Sequence, residues 1–329
     1  MTDSNNSNNA SRPILFDSHA HLVADDQVRY PRNPVQRAAD APYRPPGVIG
    51  TPGGKHGPNP VHEVPDVSRM LPWMKEENVA GIVAVQKRMI YRFDNSYILD
   101  SSDQHPELFS AVIIPDAEDP ATPDLVRKLT REHALSGVRL FGVRKADGSM
   151  PWFNSPAALR TWDVCDELGM TMDLEILCAT GGGTSIPEII ELACKYPTLR
   201  IVLDHLLEPE VHEVHGGEYY GLDEHYEKLA LHKNIYFKFT SINLDICREA
   251  DVPAHKVLRR AVDLFGADHL MWGSDIGTSS GTYKDMVQRF LDSAVLLTDA
   301  EKQAVFHDTG KCVFIKGGSK GGLNTAGHR

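Results

Sequence analysis

Residues 171–205 read TMDLEILCATGGGTSIPEIIELACKYPTLRIVLDH, and this stretch decides the fold class. It begins with an apolar run at 171–177 and ends with another at 200–205, each of the length of a buried strand. Between them, Ser185-Ile-Pro-Glu188 has the spacing of a capping box with an early proline, which predicts a helix over 187–195. A strand, a helix and a second strand in this order indicate a βαβ unit and a parallel sheet.

The same alternation extends to both sides of this unit. The strand candidates are 14–19, 81–86, 109–115, 137–141, 171–177, 200–205, 235–240 and 269–274. Eight such units predict an α/β protein of the (β/α)8 TIM-barrel type, with one domain over 13–315. We expect the Asn- and Ser-rich residues 1–12 to be a disordered leader and the Gly-rich residues 316–329 to be a disordered tail.

A long loop follows the first strand. Residues 25–66 carry the motifs YPRNP, YRPPG and GTPGGKHGPNP, and loops of this length are usually functional or disordered. Since the loop leaves the carboxyl end of a barrel strand, we expect it to cover the site as a lid or wall. A mobile surface insertion is the alternative.

Composition narrows the function classes. A formal net charge of −11 without a Lys/Arg block argues against nucleic acid as a partner, although a pocket could still hold a small anionic organic substrate. No apolar run is long enough for a membrane span, and no signal peptide is visible, which favours a cytoplasmic protein. The five cysteines lie far apart and predict reduced thiols rather than a disulfide framework. Assembly into a homo-oligomer stays open.

The chemical signal starts in the first strand, at Phe16-Asp-Ser-His19-Ala-His21. Side chains two apart on a strand point to the same face, so both imidazoles can face the barrel interior. Paired histidines at a strand end are typical of a site for zinc or a neighbouring divalent metal. An H-x-H pair also occurs by chance, but its position in the first of eight units favours a site.

Three further candidates lie at strand ends. His205 follows the apolar run of strand six, and Asp275 ends Leu270-Met-Trp-Gly-Ser-Asp275 in strand eight, which is the catalytic end of a barrel. The alternative for His205 is a core or surface histidine without a catalytic role, and the alternative for Asp275 is a helix N-cap. Glu175 in strand five is a third possible metal ligand, because a buried carboxylate needs a cation or a metal. Asp173 is expected in an outer shell or lower in the barrel.

Cations and polar groups near the same strand ends predict a site for an anionic substrate. Arginine forms paired hydrogen bonds with carboxylate or sulfonate groups. The substrate-binding candidates are Arg88, Tyr91, Asn95, Arg139, Arg144 and Lys238. A surface salt bridge is the alternative for any one of the arginines, but Arg139 and Lys238 lie within strands and need a buried partner. Gly181-Gly182-Gly183 is interpreted as a flexible loop, and the pairs His56/His62 and His212/His215 are discounted as metal sites because they lie away from strand ends.

These residues resemble the amidohydrolase superfamily, in its amidohydrolase-2 branch. The resemblance covers roughly 14–315. Its carriers are DSHAHL at 17–22, RYPRNP, APYRPPG, DNSYILD at 94–100, GVRLF at 137–141, VLDHLL at 202–207 and WGSD at 272–275. The Tyr- and Pro-rich segments with Asp94-Asn-Ser-Tyr97 are closer to the lactonase group than to the decarboxylases of this branch.

The resemblance implies an enzyme that opens the ester bond of a small anionic lactone, in the breakdown of aromatic compounds. It implies His19 and His21 as metal ligands, Asp275 as ligand and general base, and His205 as ligand or carbonyl polariser. Zinc is the first expectation for the metal and manganese the second. Because Glu175 stands where many metal-binding members have His, a metal-independent variant stays open. A metal-dependent decarboxylase of an aromatic or muconate-type acid and a non-catalytic binding barrel are the competing functions.

Overall fold

Eight parallel β-strands are hydrogen-bonded in chain order in one sheet. The computed structural model describes residues 12–33, 64–177, 182–211, 219–279 and 281–315. The strands are β1 Leu15–His21, β2 Val79–Val85, β3 Phe109–Ile113, β4 Leu135–Val143, β5 Thr171–Leu177, β6 Arg200–Leu203, β7 Ile235–Thr240 and β8 Leu270–Gly273.

Helices alternate with the strands. The α-helices are α1 Val67–Glu76, α2 Arg88–Tyr91, α3 Ser96–Gln104, α4 Thr122–Glu132, α5 Pro151–Asn154, α6 Pro156–Glu167, α7 Ile186–Lys195, α8 Glu224–Leu229, α9 Ser241–Glu249, α10 Ala254–Phe265, α11 Tyr283–Ser293, α12 Asp299–Gln303 and α13 Thr309–Phe314. A π-helical turn, Ala304–Asp308, joins the last two. Among the described helices, none is long and apolar enough to cross a membrane.

The sheet closes into a barrel where β8 meets β1. Ala20 and Ile276 form a parallel bridge, and the Asp275 backbone N–H donates to the His19 carbonyl over 2.7 Å. The Asp17 carboxylate reinforces the seam by accepting from the Ser274 backbone N–H at 2.8 Å. The predicted TIM barrel is therefore confirmed.

Among the described residues, the core has a larger part outside the barrel, a smaller part inside it and a third, minor cluster that includes Tyr30 and Tyr91. The larger part lies between the strands and the helices and contains the fully buried Trp162 and Trp272. The smaller part gathers strand side chains such as Phe16 and Val202 together with Phe314 of α13. The carboxyl-terminal helix thus packs on apolar strand positions that belong to the smaller cluster.

The strand ends differ from the sequence-based prediction in two places that matter for the site. β4 is longer than 137–141, and β6 stops at Leu203 instead of 205. The helix predicted over 187–195 is confirmed as α7, but its capping box is wrong. Ser185 makes no side-chain cap hydrogen bond, because Arg144 binds Ser185 Oγ at 2.8 Å and Glu188 Oε1 at 3.0 Å.

Several sequence-based predictions fall outside the described residues. These are residues 1–11 of the leader, the tail, 34–63 of the predicted lid, Gly181, and the histidine pairs at 56/62 and 212/215. They stay predictions.

Candidate active site

His19, His21 and Asp275 converge where β1 and β8 end. One ligand atom from each lies within 4.8 Å of the others, and all three side chains are buried. His21 Nε2 is 3.0 Å and His19 Nε2 is 3.6 Å from Asp275 Oδ1. The two imidazole rings stand perpendicular, with centroids 5.0 Å apart. The alternation of strand residues has placed both histidines on one face.

Local backbone features allow this convergence. Gly273 must lack a side chain, because a Cβ there would lie 2.6 Å from the Cβ of His19. Asp275 has φ of 50°, in the left-handed region that non-glycine residues seldom adopt. Strain of this kind persists only when surrounding contacts fix it, and it concentrates at functional sites.

The His21 ring has a defined tautomer. Its Nδ1 lies 2.9 Å from the Val85 carbonyl oxygen, which can only accept, so Nδ1 carries the proton and Nε2 presents a lone pair. Burial lowers the pKa of His21 to about 4, so the ring is neutral at pH 7. Two acceptors, His21 Nε2 and Asp275 Oδ1, therefore face each other at 3.0 Å. A cation between them would resolve the repulsion.

Two more atoms at this point are unsatisfied. His19 Nε2 and Asp275 Oδ2 are buried and have no hydrogen-bond partner among the described residues. Such groups are rare in folded proteins because each costs about 1–3 kcal/mol. Two imidazole nitrogens and a carboxylate suit zinc or a similar divalent ion. The residues present thus fit a metal.

The electrostatics keep Asp275 ionised. Burial alone would raise its pKa, but the interactions with the neighbouring imidazoles of His21, His19 and His205 outweigh burial and hold the pKa far below its usual range. Burial also lowers the pKa of His19 well below normal, against the opposing pull of Asp204. The site therefore combines neutral imidazoles with a carboxylate at neutral pH.

His205 lies two residues after the end of β6, in an unusual turn. His205, Leu206, Leu207 and Glu208 have φ of 54°, 53°, 59° and 49°. Left-handed residues other than glycine cost about 1–2 kcal/mol each, so a run of four needs strong support from neighbours. The His205 ring centroid lies 5.3 Å from that of His19. The turn thus brings His205 against the first pair of histidines.

Glu175 pairs with Arg139 and lies beside His205. Arg139 Nη2 donates to Glu175 Oε2, which is also 3.9 Å from His205 Nε2. The described residues contain two potential ligand groups, His19/His21/Asp275 and His19/Asp204/His205, and Glu175 belongs to neither. Its predicted role as a metal ligand remains a prediction, and its observed partner is a guanidinium.

Asp204 is the residue that the sequence analysis missed. It is fully buried and accepts from Arg139 Nε at 2.8 Å and Arg139 Nη2 at 2.7 Å, while Lys238 Nζ lies 3.0 Å away. These cations hold its pKa far below normal although burial opposes them. Asp204 Oδ1 also lies 3.2 Å from His19 Nδ1. A carboxylate neutralised by two cations suits the orientation of a histidine better than direct metal ligation.

Lys238 lies beneath the histidines, within the barrel. It donates to Asp173 Oδ2 at 2.6 Å and lies 3.2 Å from His19 Nδ1. Burial and the nearby Asp204 raise the pKa of Asp173 to about 7. The buried partner that the sequence analysis required for a cation in β7 is therefore present.

A pocket opens above these groups. Its lining residues are His21, Lys87, Arg88, Met89, Arg139, Phe141, Glu175, His205, Ile242, Asp275 and Thr278. The Arg88 guanidinium lies 4.5 Å from the Phe93 ring centroid and 5.5 Å from that of Phe141. Lys87 contacts Thr278 Oγ1 across the pocket. The mouth is thus cationic although the molecule as a whole is acidic.

Four predicted substrate-binding residues do not line this pocket. Tyr91 is buried and accepts from the Ala24 N–H, whereas Asn95 holds both backbone polar groups of Ile114. Arg144 binds Glu188 at 3.0 Å, and Lys238 lies beneath the histidines. The structure therefore places Arg88 and Arg139 at the pocket and the other four in supporting positions.

Residues 16–311 match the model of the amidohydrolase family. The chain belongs to the amidohydrolase family. A curated relative, the L-fucono-1,5-lactonase of Burkholderia ambifaria, is 25% identical over 205 residues, which is 62% of this chain and 67% of the relative. The family assignment and this relative indicate a hydrolase.

Solved structures share the amidohydrolase fold with this chain. A putative 2-pyrone-4,6-dicarboxylic acid hydrolase from Pseudomonas putida has a TM-score of 0.67 and 18% identity, covering 92% of this chain and 97% of the other. A zinc-bound amidohydrolase from Burkholderia multivorans has a TM-score of 0.65 and 17% identity, covering 92% and 99%. A 2,6-dihydroxybenzoate decarboxylase from Rhizobium has a TM-score of 0.62 and 13% identity, covering 92% and 98%. At these identities the likeness shows the fold alone.

Proposed function

We propose that this amidohydrolase opens the ester bond of a small anionic lactone by metal-assisted attack of water. The observation that carries the proposal is the facing pair of acceptors, His21 Nε2 and Asp275 Oδ1, at 3.0 Å in a buried site. The lactonase relative supports ester hydrolysis as the reaction. Breakdown of aromatic compounds is the metabolic setting that we infer.

We infer that His19, His21 and Asp275 hold the metal and that His205 Nε2 faces the same space. Zinc is our first choice and manganese the second. When bound, such an ion polarises the lactone carbonyl and lowers the pKa of water towards neutrality. Asp204 Oδ1 and Lys238 Nζ both lie 3.2 Å from His19 Nδ1. When Asp204 accepts from Nδ1–H, the His19 Nε2 lone pair is left for the metal.

The chain's own groups supply the proton transfers. Asp275 is ionised and buried, so it takes the proton of water as the oxygen attacks the carbonyl carbon. The ring carbon–oxygen bond then breaks, and Asp275 returns its proton to the leaving oxygen. The product is an open-chain hydroxy acid, and Asp275 is again ionised.

The cationic mouth supports an anionic substrate. Lys87 and Arg88 line the pocket, and Arg88 is half-buried on two aromatic rings. Guanidinium and ammonium groups at a restricted mouth attract carboxylates locally even when the net charge is −11. We therefore favour lactones that carry a carboxylate or sulfonate.

The test is acid release from a panel of charged and neutral lactones, with metal analysis of the same preparations. Wild-type protein is expected to release acid from a charged lactone and to hold a divalent metal. Asp275→Asn should lose about 100-fold or more in kcat, since it removes the general base, and His19→Ala should lose metal as well. Asp124→Asn, on an exposed carboxylate, is the control that should keep both.

Unchanged turnover in Asp275→Asn and His19→Ala would refute this site. Carbon dioxide release from an aromatic or muconate-type acid, without acid release from any lactone, would favour the decarboxylase alternative. An active enzyme without stoichiometric metal would refute the ligand roles but leave Asp275 as the base.

A further inference from the structure

Two residues at the start of α9 contact His205, one at its ring and one at its backbone carbonyl. Thr240 Oγ1 lies 2.7 Å from His205 Nδ1, and Asn243 Nδ2 donates to the His205 carbonyl oxygen at 2.7 Å. Both side chains are buried. They come from one short stretch, Thr240-Ser-Ile-Asn243, at the junction of β7 and α9.

The orientation of the Asn243 amide is fixed by its partners. The His205 carbonyl can only accept a hydrogen bond, so it faces the Asn243 NH2 group. The Thr240 backbone N–H can only donate, and it lies 2.9 Å from Asn243 Oδ1. Exchanging the amide oxygen and nitrogen would break both contacts, so only one orientation satisfies the site.

This orientation offers an acceptor for the Thr240 hydroxyl proton. Asn243 Oδ1 lies 3.4 Å from Thr240 Oγ1, and an amide oxygen can only accept. With the hydroxyl proton directed to Asn243, a Thr240 Oγ1 lone pair faces His205 Nδ1 at 2.7 Å. In this arrangement His205 donates from Nδ1, and its unprotonated Nε2 faces the pocket.

The backbone around His205 needs such support. It is the first of four consecutive left-handed residues, and its carbonyl oxygen is the one that Asn243 holds. A left-handed run of non-glycine residues relaxes unless contacts fix it. The Asn243 amide therefore fixes the backbone of His205, and the Thr240 hydroxyl fixes its ring.

We propose that Thr240 and Asn243 are positioning residues that fix the place and the tautomer of His205, so that Nε2 presents a lone pair to a metal held beside His19. The effect of Thr240 and Asn243 on turnover rests on the proposed function, whereas their effect on the His205 ring does not.

The experiment combines kinetics with nitrogen NMR of histidine-labelled protein, in which His205 is assigned from the spectrum of His205→Gln. Wild type is expected to show His205 protonated at Nδ1. Thr240→Val keeps the shape but removes the acceptor, so we expect a mixture of tautomers and a kcat about 10- to 100-fold lower, with a smaller change in KM. Thr240→Ser restores the hydroxyl and should restore both readouts.

Asn243→Asp is a second variant with nearly the same shape. It keeps an acceptor for the Thr240 N–H but replaces the donor to the His205 carbonyl by an oxygen. We expect lower kcat and altered His205 resonances here too. Thr298→Val is the matched control, because Thr298 begins α12 with the same kind of capping contact but is exposed and far from the site. It should lose some stability and keep kcat.

A Thr240→Val protein with wild-type His205 resonances would overturn the proposal, as would a folded Thr240→Val protein with unchanged kcat. If His205 shifts as expected but no lactone is hydrolysed by wild type, the positioning role stands and the proposed function fails.

Discussion

Asp204 contacts two cations and an imidazole without reaching solvent. Its carboxylate meets Arg139 at 2.7 and 2.8 Å, Lys238 at 3.0 Å and His19 at 3.2 Å. Charges at this depth are stable only when each has a partner. Asp204 is therefore the residue on which the buried network around the histidines depends.

Asp204→Asn should destabilise the protein by about 3–5 kcal/mol, because the neutral amide leaves Arg139 and Lys238 under-compensated in the interior. Urea unfolding followed by circular dichroism measures the loss. Glu167→Gln is the matched control, since it breaks only the exposed pair with Arg127 and should change little. Equal stability of Asp204→Asn and wild type would contradict this view of the network.

At the residue scale, the sequence predicted His19, His21 and Asp275 together, because strand alternation and strand ends determine where they point. The sequence did not single out Asp204. Adjacent residues on a strand face opposite sides, so a strand that directs His205 into the barrel would direct Asp204 away from it. β6 ends at Leu203, and the left-handed turn that follows turns both residues inward. No sequence pattern signals four left-handed residues without a glycine. The contacts of Thr240 and Asn243 with His205 depend on the same turn.

At the scale of elements, the seam between β8 and β1 depends on Asp17. Its Oδ1 accepts from the backbone N–H groups of Ser274 at 2.8 Å and His19 at 3.1 Å, and its Oδ2 accepts from the Tyr283 hydroxyl at 3.0 Å. Burial raises the pKa of Asp17 to about 6 despite these hydrogen bonds. The seam thus needs the acceptor oxygens of Asp17 more than its charge.

Asp17→Ala should cost about 2–5 kcal/mol, because it leaves two buried N–H groups without acceptors. Asp17→Asn should cost much less, since one amide oxygen can accept from both and no charge is buried. Tyr283→Phe, which removes a single hydrogen bond, should cost about 1 kcal/mol. Thermal and urea unfolding give the order, and an Asn variant as unstable as the Ala variant would show that the charge itself holds the seam.

The sequence predicted the elements better than their ends. Runs of Val, Ile and Leu fixed the eight strands, and β5 and β7 agree with prediction at both ends. The failures arose where a tertiary contact competed with a local signal. Arg144 reaches across from the end of β4 to bind Ser185 and Glu188, so the residues of the predicted cap bind a guanidinium instead of the helix backbone.

At the scale of the whole molecule, the net charge did not predict which charged side chains lie in the pocket and the barrel interior. The chain carries −11 overall, yet the pocket mouth has Lys87 and Arg88, and Arg139 and Lys238 lie deeper beside three carboxylates. Most acidic side chains are exposed and solvated, whereas the few buried charges occur in partnered groups. Stability against pH therefore depends on the buried groups.

In metal-free protein, His21 should contribute a loss of stability as the pH falls from 6.5 to 4. Burial lowers the pKa of His21 from 6.5 to about 4 in the folded state, so in this window the unfolded chain binds a proton that the folded chain does not. The stability that neutral His21 contributes is complete above 6.5 and decreases by up to about 1.4 kcal/mol per pH unit. Urea unfolding of chelator-treated wild type and His21→Asn across this window measures this contribution.

His21→Asn isolates the contribution of His21. The raised pKa values of Asp17 and Asp173 have the opposite effect on stability as the pH falls, but they are common to both proteins. The difference in unfolding free energy between wild type and His21→Asn should become more unfavourable to wild type as the pH falls, by on the order of 3 kcal/mol over the window. If this difference does not change with pH, His21 has the same protonation state in the folded and the unfolded protein. Zinc should delay the wild-type loss to lower pH, since a bound cation competes with the proton for the His21 Nε2 lone pair.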